Sequence, residues 1–275
     1  MKYEWSPEAR QALRALVSQD GARSARAVLI TGPPGTGKTA FAEAVAQETG
    51  ALFIYALLHP WSGADDLFVG VDVAAAVAGD ADAVRQPGVL ARVAEASTKG
   101  LVVLCLDELD KAPESVEALL LDWLQSGRVP VRPGEHLQTR LGNVIVVITS
   151  NGSRPHTDAL LRRCRRLRLG PMPEELRVRL AADRSGAPTG VARLVDRACQ
   201  IVAQAEGNEA LSLQEIAHAC HEVWAVAQST VEVRETLRAW AARTDEGAAA
   251  VDRPEIERLV GAIWGEVVAA RRRAR

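Results

Sequence analysis

Residues 27–39 read Ala27-Val28-Leu29-Ile30-Thr31-Gly32-Pro33-Pro34-Gly35-Thr36-Gly37-Lys38-Thr39: an apolar run, a glycine-rich octet and the start of a helical pattern. The apolar run predicts a buried parallel strand. Behind the octet Phe41, Ala44, Val45 and Glu48 recur at helical spacing. Glycines let successive backbone N–H groups close around anionic oxygens, and the following helix turns its positive end toward them. Gly32, Pro33, Pro34, Gly35, Thr36, Gly37, Lys38, Thr39 and Ala40 are therefore the expected nucleotide-binding residues. Lys38 is placed to reach the β- and γ-phosphates, and the Thr39 hydroxyl to ligate magnesium.

A second stretch turns nucleotide binding toward hydrolysis. Leu101-Val102-Val103-Leu104-Cys105-Leu106 is unbrokenly apolar and runs into Asp107-Glu108, so both carboxylates leave the end of a strand buried on both faces. Ligands of open parallel sheets sit at the carboxyl ends of the strands, where the 32–39 loop also opens. Asp107 is expected to bind the magnesium through its water shell, and Glu108 to act as the base toward attacking water. The competing reading is that the two acids merely cap a helix around 114–126.

Two further segments belong with these. Val144-Ile145-Val146-Val147-Ile148-Thr149-Ser150 is another buried-strand run, and it delivers Asn151 to the same sheet edge. An amide there can donate to a γ-phosphate or hold the lytic water, although Asn151-Gly152 is also a strong turn signal. Leu160-Leu161-Arg162-Arg163-Cys164-Arg165-Arg166 ends a short helix in positive charge. An arginine set against a γ-phosphate is the usual trans-acting stabiliser of phosphoryl transfer, while a solvated basic face is the default for such a run.

Taken in order, the phosphate loop, the Leu-Cys-Leu-Asp-Glu strand end, the strand-end Asn151 and the Leu-Arg-Arg-Cys helix end resemble the AAA+ ATPases over about residues 26–225. The stretches Ala64-Asp65-Asp66-Leu67-Phe68-Val69-Gly70, Gln86-Pro87-Gly88-Val89-Leu90 and Leu119-Leu120-Leu121-Asp122-Trp123-Leu124-Gln125-Ser126-Gly127-Arg128-Val129 are similar to the MoxR branch. The resemblance implies ATP and Mg2+ as cofactors and Lys38, Glu108, Asn151 and Arg163 as catalytic residues, with Thr39 and Asp107 on the metal. Arg163, directly before Cys164, matches the arginine finger, and Arg162 is the competing choice. The resemblance also implies a ring, a hexamer, and a protein client such as a von Willebrand factor A domain protein. One departure stands out: Leu211-Ser212-Leu213-Gln214-Glu215 lacks the arginine expected of a second sensor.

Bulk properties exclude several classes. A net charge of −2 argues against a domain whose main task is gripping nucleic acid. No run of about 18 apolar residues exists, so no membrane span is predicted, and Met1-Lys2-Tyr3-Glu4-Trp5 lacks the apolar core of a signal peptide. Cys105, Cys164, Cys199 and Cys220 lie far apart without metal-ligand spacing and read as small hydrophobes in a reducing cytoplasm. The tail Arg271-Arg272-Arg273-Ala274-Arg275 reads as a solvated helix end.

Punctuation sets the organisation. Ser6-Pro7 starts a helix that runs to Val17. Strands are expected near 27–31, 52–56, 101–106, 144–149 and 166–169, alternating with helices. The predicted fold class is thus α/β: a P-loop NTPase parallel sheet with flanking helices, followed by an all-helical lid. Gly170-Pro171-Met172-Pro173 divides a nucleotide domain, 1–170, from the lid, 171–275. Pro130 and Pro133-Gly134 place a hairpin within 127–140. An Ala/Val/Asp-rich insert, about 63–85, either contacts the ring or a client or packs back on its own subunit. Trp123, Trp224, Trp240 and Trp264 fall on apolar helical faces and read as core; Trp61, before a Ser-Gly turn, is also expected to pack, with a grip on a polypeptide as the alternative.

Three functions fit this reading: an ATP-driven protein-remodelling motor, a DNA-directed loader, and a nucleotide-dependent switch or scaffold in a signalling or defence complex.

Overall fold

The five expected strands do pair with one another. In the computed structural model, which describes residues 3–18, 25–71, 77–78, 85–132, 134–207 and 211–273, they form one parallel sheet. Its strands are β1 (Arg26–Thr31), β2 (Leu52–Leu57), β5 (Val102–Asp107), β8 (Val144–Ser150) and β9 (Arg165–Arg168), in the spatial order β2-β5-β8-β1-β9. Every neighbouring pair is parallel. Sequence neighbours are therefore separated: β8, though late in the chain, slots between β5 and β1.

Alternation along the strands feeds two apolar layers. Leu29, Leu104, Leu106, Val146 and Ile148 face the layer built with the helices Val89–Ser97 and Glu114–Ser126, and Trp123 is fully buried there. Its indole N–H donates to Thr139 Oγ1 at 3.0 Å, which satisfies the one polar atom that burial would otherwise strand. Val28, Ile30, Val103, Cys105, Ile145 and Val147 face the opposite layer, with Phe41 and Val45 of the Lys38–Thr49 helix and Ala9, Ala12 and Leu16 of the Pro7–Val17 helix. That first helix is capped as its Ser-Pro start predicts: Ser6 Oγ accepts from Ala9 N at 3.1 Å. Strand β2 lies on the sheet's edge and leaves Leu52, Tyr55 and Leu57 exposed.

The expected hairpin is present as β6 (Arg128–Arg132) and β7 (Glu135–Gln138), antiparallel, with a register irregularity at Pro130/Arg132. Pro133 lies outside the described residues. Of the insert, 72–76 and 79–84 lie outside them as well. Its described ends form a short helix, Ala64–Leu67, and an antiparallel pair, β3 (Val69–Val71) with β4 (Arg85–Pro87).

By contacts the chain divides into two compact units, Met1–Gly32 with Gly37–Leu169, and Pro33–Thr36 with Gly170–Arg275. Among the described residues after 170 all regular structure is helical. Its core gathers Val195, Cys199 and Val202 with Ile216, Leu237, Ile256, Val260 and Ile263. A buried fork stiffens it: Arg177 Nε and Nη2 meet Asp196 Oδ1 and Oδ2 at 2.5 and 2.8 Å, and Nη1 donates to Met172 O.

The helix that starts at Leu213 is not regular as far as Ala227. It ends at His221 and widens into a π turn, Glu222–Val226, whose Glu222 accepts from Thr236 Oγ1 and Trp240 Nε1. Nor is the basic tail wholly solvated. The Arg271 guanidinium lies against the rings of both Trp224 and Trp264 and donates to Trp224 O and Ala227 O, closing the carbonyl end of that turn. Trp123 is core as expected, whereas Trp224, Trp240 and Trp264 are only partly buried. Trp61 is 86% exposed, so the expectation that it packs is corrected. Among the described residues no helix is long and apolar enough to cross a membrane.

Candidate nucleotide site

Strand order decides what meets at the sheet's carboxyl edge. The loop after β1, the acids ending β5 and the asparagine after β8 come from three adjacent strands, with β8 in the middle. Asn151 is thereby placed between the glycine-rich loop and Asp107-Glu108, as expected for an open parallel sheet.

The loop is shaped by glycine. Gly35 and Gly37 take φ of +76° and +88°, a left-handed conformation that side-chain-bearing residues rarely adopt. Gly37 is the N-cap of the Lys38–Thr49 helix and offers no side-chain acceptor to the first turn. The first N–H groups of that helix are thus left without a capping side chain, the arrangement that favours an anion. Lys38 is 7% exposed, and its Nζ donates to Gly32 O at 2.8 Å. Burial lowers its pKa, and Asp107, Asp110 and Glu108 oppose that shift by favouring the charged form.

Asp107 is the hub. Thr39 Oγ1 lies 3.1 Å from both of its carboxylate oxygens. Tyr55 OH donates to Oδ2 at 3.0 Å, and Thr149 Oγ1 donates to Oδ1. Burial and then the bond to Asp107 push the Tyr55 phenol up to about 12, so it remains a donor at neutral pH. Tyr55 and Thr149 escaped the sequence reading. Each sits on a strand in a run that registers only as apolar, and their meeting depends on β2 and β8 both flanking β5.

Glu108 is the single non-glycine residue with positive φ among those described, at +58°. Such a conformation costs on the order of 1–3 kcal/mol, and it concentrates at functional positions. Here it is held by Glu108 N donating to Thr149 Oγ1 at 3.0 Å and by Asn151 Nδ2 donating to Glu108 Oε1 at 2.9 Å. The acids do not cap the Glu114–Ser126 helix, whose N-cap is Pro113 without a side-chain bond. A hydroxyl and a carboxylate side by side, backed by few other protein ligands, fit Mg2+, which keeps waters and phosphate oxygens in its octahedron.

Arg162 and Arg163 end the Asp158–Arg163 helix. Arg163 donates to Gln125 Oε1 at 3.0 Å and to Ala159 O at 3.2 Å. Arg162 is exposed and lines a surface cavity of about 530 Å3 with Asp158, Leu161, Cys164, Arg165 and Arg166.

The profile of a family described as "AAA domain (dynein-related subfamily)" matches residues 27–164, the span from β1 to the arginine-bearing helix. The chain belongs to this AAA domain family. ATP-dependent zinc metalloprotease FtsH of Kosmotoga olearia is 51% identical to it over 59 residues, 21% of this chain and 8% of that protein. FtsH of Mycoplasma genitalium is 52% identical over 54 residues, 20% of this chain and 7% of that one. The chain therefore matches less than a tenth of the length of these relatives. Among solved structures a RuvB point mutant from Thermotoga maritima superposes with a TM-score of 0.54 over 88% of this chain and 70% of the other, at 17% identity. That likeness places the AAA domain chain in the AAA+ P-loop fold.

Proposed function

We propose that this AAA domain chain binds ATP with Mg2+ and hydrolyses it, and that it does so as a ring-forming, MoxR-like remodelling ATPase acting on a protein client. The observation that carries the reading is the strained Glu108, tethered to Asn151, beside an Asp107 paired with Thr39. In this reading Gly32 through Ala40 hold the phosphates, and Lys38 neutralises the β- and γ-phosphates. Thr39 and Asp107 hold the metal, which when bound draws charge from the transferred phosphoryl group. Glu108 takes the proton of the attacking water, and Asn151 orients that water or the γ-phosphate. Arg163, with Arg162 as the alternative, serves ATP bound to a neighbouring subunit, so residues 1–170 act as catalytic domain and 171–275 as lid. The client is a protein, with a von Willebrand factor A domain protein as one candidate, and the setting is the cytoplasm. A net charge of −2 supports a protein over a nucleic-acid client.

A second reading has one observation in its favour. The 211–215 stretch lacks the arginine of a second sensor, as a nucleotide-dependent switch that does not turn over would. Phosphate release from assembled protein, with and without DNA, tests both. Turnover indifferent to DNA supports the motor, DNA stimulation supports a loader, and tight ATP binding without turnover supports the switch.

A further inference from the structure

Between Asn151 and the arginine-bearing helix runs a short loop, 152–157, that is pinned at both ends by buried carboxylates from a single other segment. Asp110, 4% exposed, accepts from Asn151 N at 3.1 Å, Ser153 N at 2.9 Å and Ser153 Oγ at 2.6 Å. Glu117, fully buried on the Glu114–Ser126 helix, accepts from Thr157 N at 2.8 Å and from Thr157 Oγ1. Its other oxygen faces Arg154 Nη1 at 3.2 Å and His156 Nδ1 at 3.3 Å. Thr157 is itself the N-cap of the Asp158–Arg163 helix, its hydroxyl oxygen accepting from Leu160 N. The same Glu114–Ser126 helix also supplies Gln125 to Arg163. A charge buried this deeply is costly unless every lone pair is met. Burial would raise both carboxyls, but the hydrogen bonds from Ser153 and Asn151, and from Thr157, His156 and Arg154, outweigh it and hold both below the ordinary carboxylate range.

We infer that Asp110 and Glu117 are positioning residues with divided tasks, Asp110 setting the Asn151 amide within its own subunit and Glu117 setting the helix that presents Arg163 to the next. The inference rests on the proposed roles of Asn151 and Arg163. The geometry gives the division a physical basis, because each carboxylate takes the backbone N–H of the residue it serves or of that residue's helix cap. A group fixed in this way need not touch the reacting atoms to govern the rate, since a displacement of about 1 Å costs on the order of 10²-fold.

The test uses the full chain in its assembled form. Glu117→Gln keeps the volume and an acceptor for Thr157, but sets an amide NH2 against the guanidinium of Arg154. The expected result is a loss in kcat on the order of 10²-fold with nucleotide affinity unchanged. Amide exchange should quicken across 154–163 and stay as in the wild type along β5. Mixing Glu117→Gln with Glu108→Gln subunits should restore turnover, since interfaces form in which an intact base meets a well-set arginine. Asp110→Asn should lose turnover similarly and gain nothing from the same mixing. Unchanged exchange across 154–163, or equal behaviour of the two variants on mixing, overturns the division. Faster exchange along β5 as well reduces Glu117 to a core residue and overturns it too. If the wild type turns over no ATP, the phosphoryl-transfer reading fails, and the exchange measurement alone decides whether Glu117 sets the helix. Should Glu117→Gln not fold, Arg154→Gln removes the same ion pair from a partner that is 20% exposed and carries the same readouts.

Discussion

Replacing Glu108 by Gln separates chemistry from structure more cleanly than any other change at the site. The side chain keeps its length, and its Oε1 can still accept from Asn151 Nδ2, now at 2.9 Å. Gln has no better access to φ +58° than Glu, so the strain of about 1–3 kcal/mol remains in place. The strain is unaltered and the hydrogen bond loses only its charge assistance, so stability should change by no more than about 1 kcal/mol. For a chain of this size that is a Tm shift within about 4 °C. Turnover behaves differently, because an amide cannot take a proton from water. General-base catalysis contributes roughly 10²–10⁴-fold, equivalent to about 3–5 kcal/mol of barrier. The assay pairs phosphate release at saturating MgATP with a thermal melt and a calorimetric measurement of ATP affinity. The expected outcome is tight ATP binding, a near-wild-type melt and turnover lowered by that factor. Undiminished turnover would exclude Glu108 as the base. A melt lowered by more than about 5 °C would mean that the carboxylate serves the fold, and the reasoning from strain to function would fail with it.

Lys38→Ala should remove most ATP affinity, since it deletes the loop cation placed against the β- and γ-phosphates; titration calorimetry showing wild-type affinity would reject the loop assignment. Arg163→Ala should lower turnover on the order of 10³-fold and recover part of it when mixed with Glu108→Gln, whereas full activity from a demonstrably monomeric sample would contradict a trans-acting arginine. Acid should destabilise the protein through Asp110 and Glu117. Both have folded pKa values depressed below their ordinary 3.8 and 4.5, so the unfolded chain takes up protons first. Their contribution is complete above those values and is lost as pH falls through the folded ones. Urea midpoints should therefore drop as pH falls below about 5, and the drop should be shallower in Glu117→Gln; an equal slope would show that Glu117 is not among the groups responsible.

Local pattern carried the sequence reading wherever one segment suffices to make a structure. Unbroken apolar runs imply strands covered on both faces, and such strands require a parallel sheet with helices on each side. The Ser-Pro start of the first helix, the glycines of the 32–37 loop and the proline-bearing 127–140 hairpin likewise act on their own neighbours. For this reason β1, β5 and β8, the loop and the acids at the end of β5 were legible from residues alone. The irregular turn at Glu222–Val226 was not. It depends on Arg271, Thr236 and Trp240 arriving from other helices, while Leu213 to Ala227 keep an unbroken helical period.

What only the tertiary structure decided is which groups meet. That β8 lies between β5 and β1 is a matter of strand order, on which periodicity is silent, and it alone puts Asn151 on Glu108 and Thr149 on Asp107. Tyr55 and Thr149 look like ordinary strand residues in the sequence, because hydrophobic patterning records burial and not the partner of a hydroxyl. Glu117 is the sharpest case. At a helical position among leucines it could be taken for a misplaced surface acid, and its meaning depends wholly on Arg154, His156 and Thr157, 37 to 40 positions away. A buried charge is defined by what satisfies it, and the satisfying groups come from wherever the chain returns.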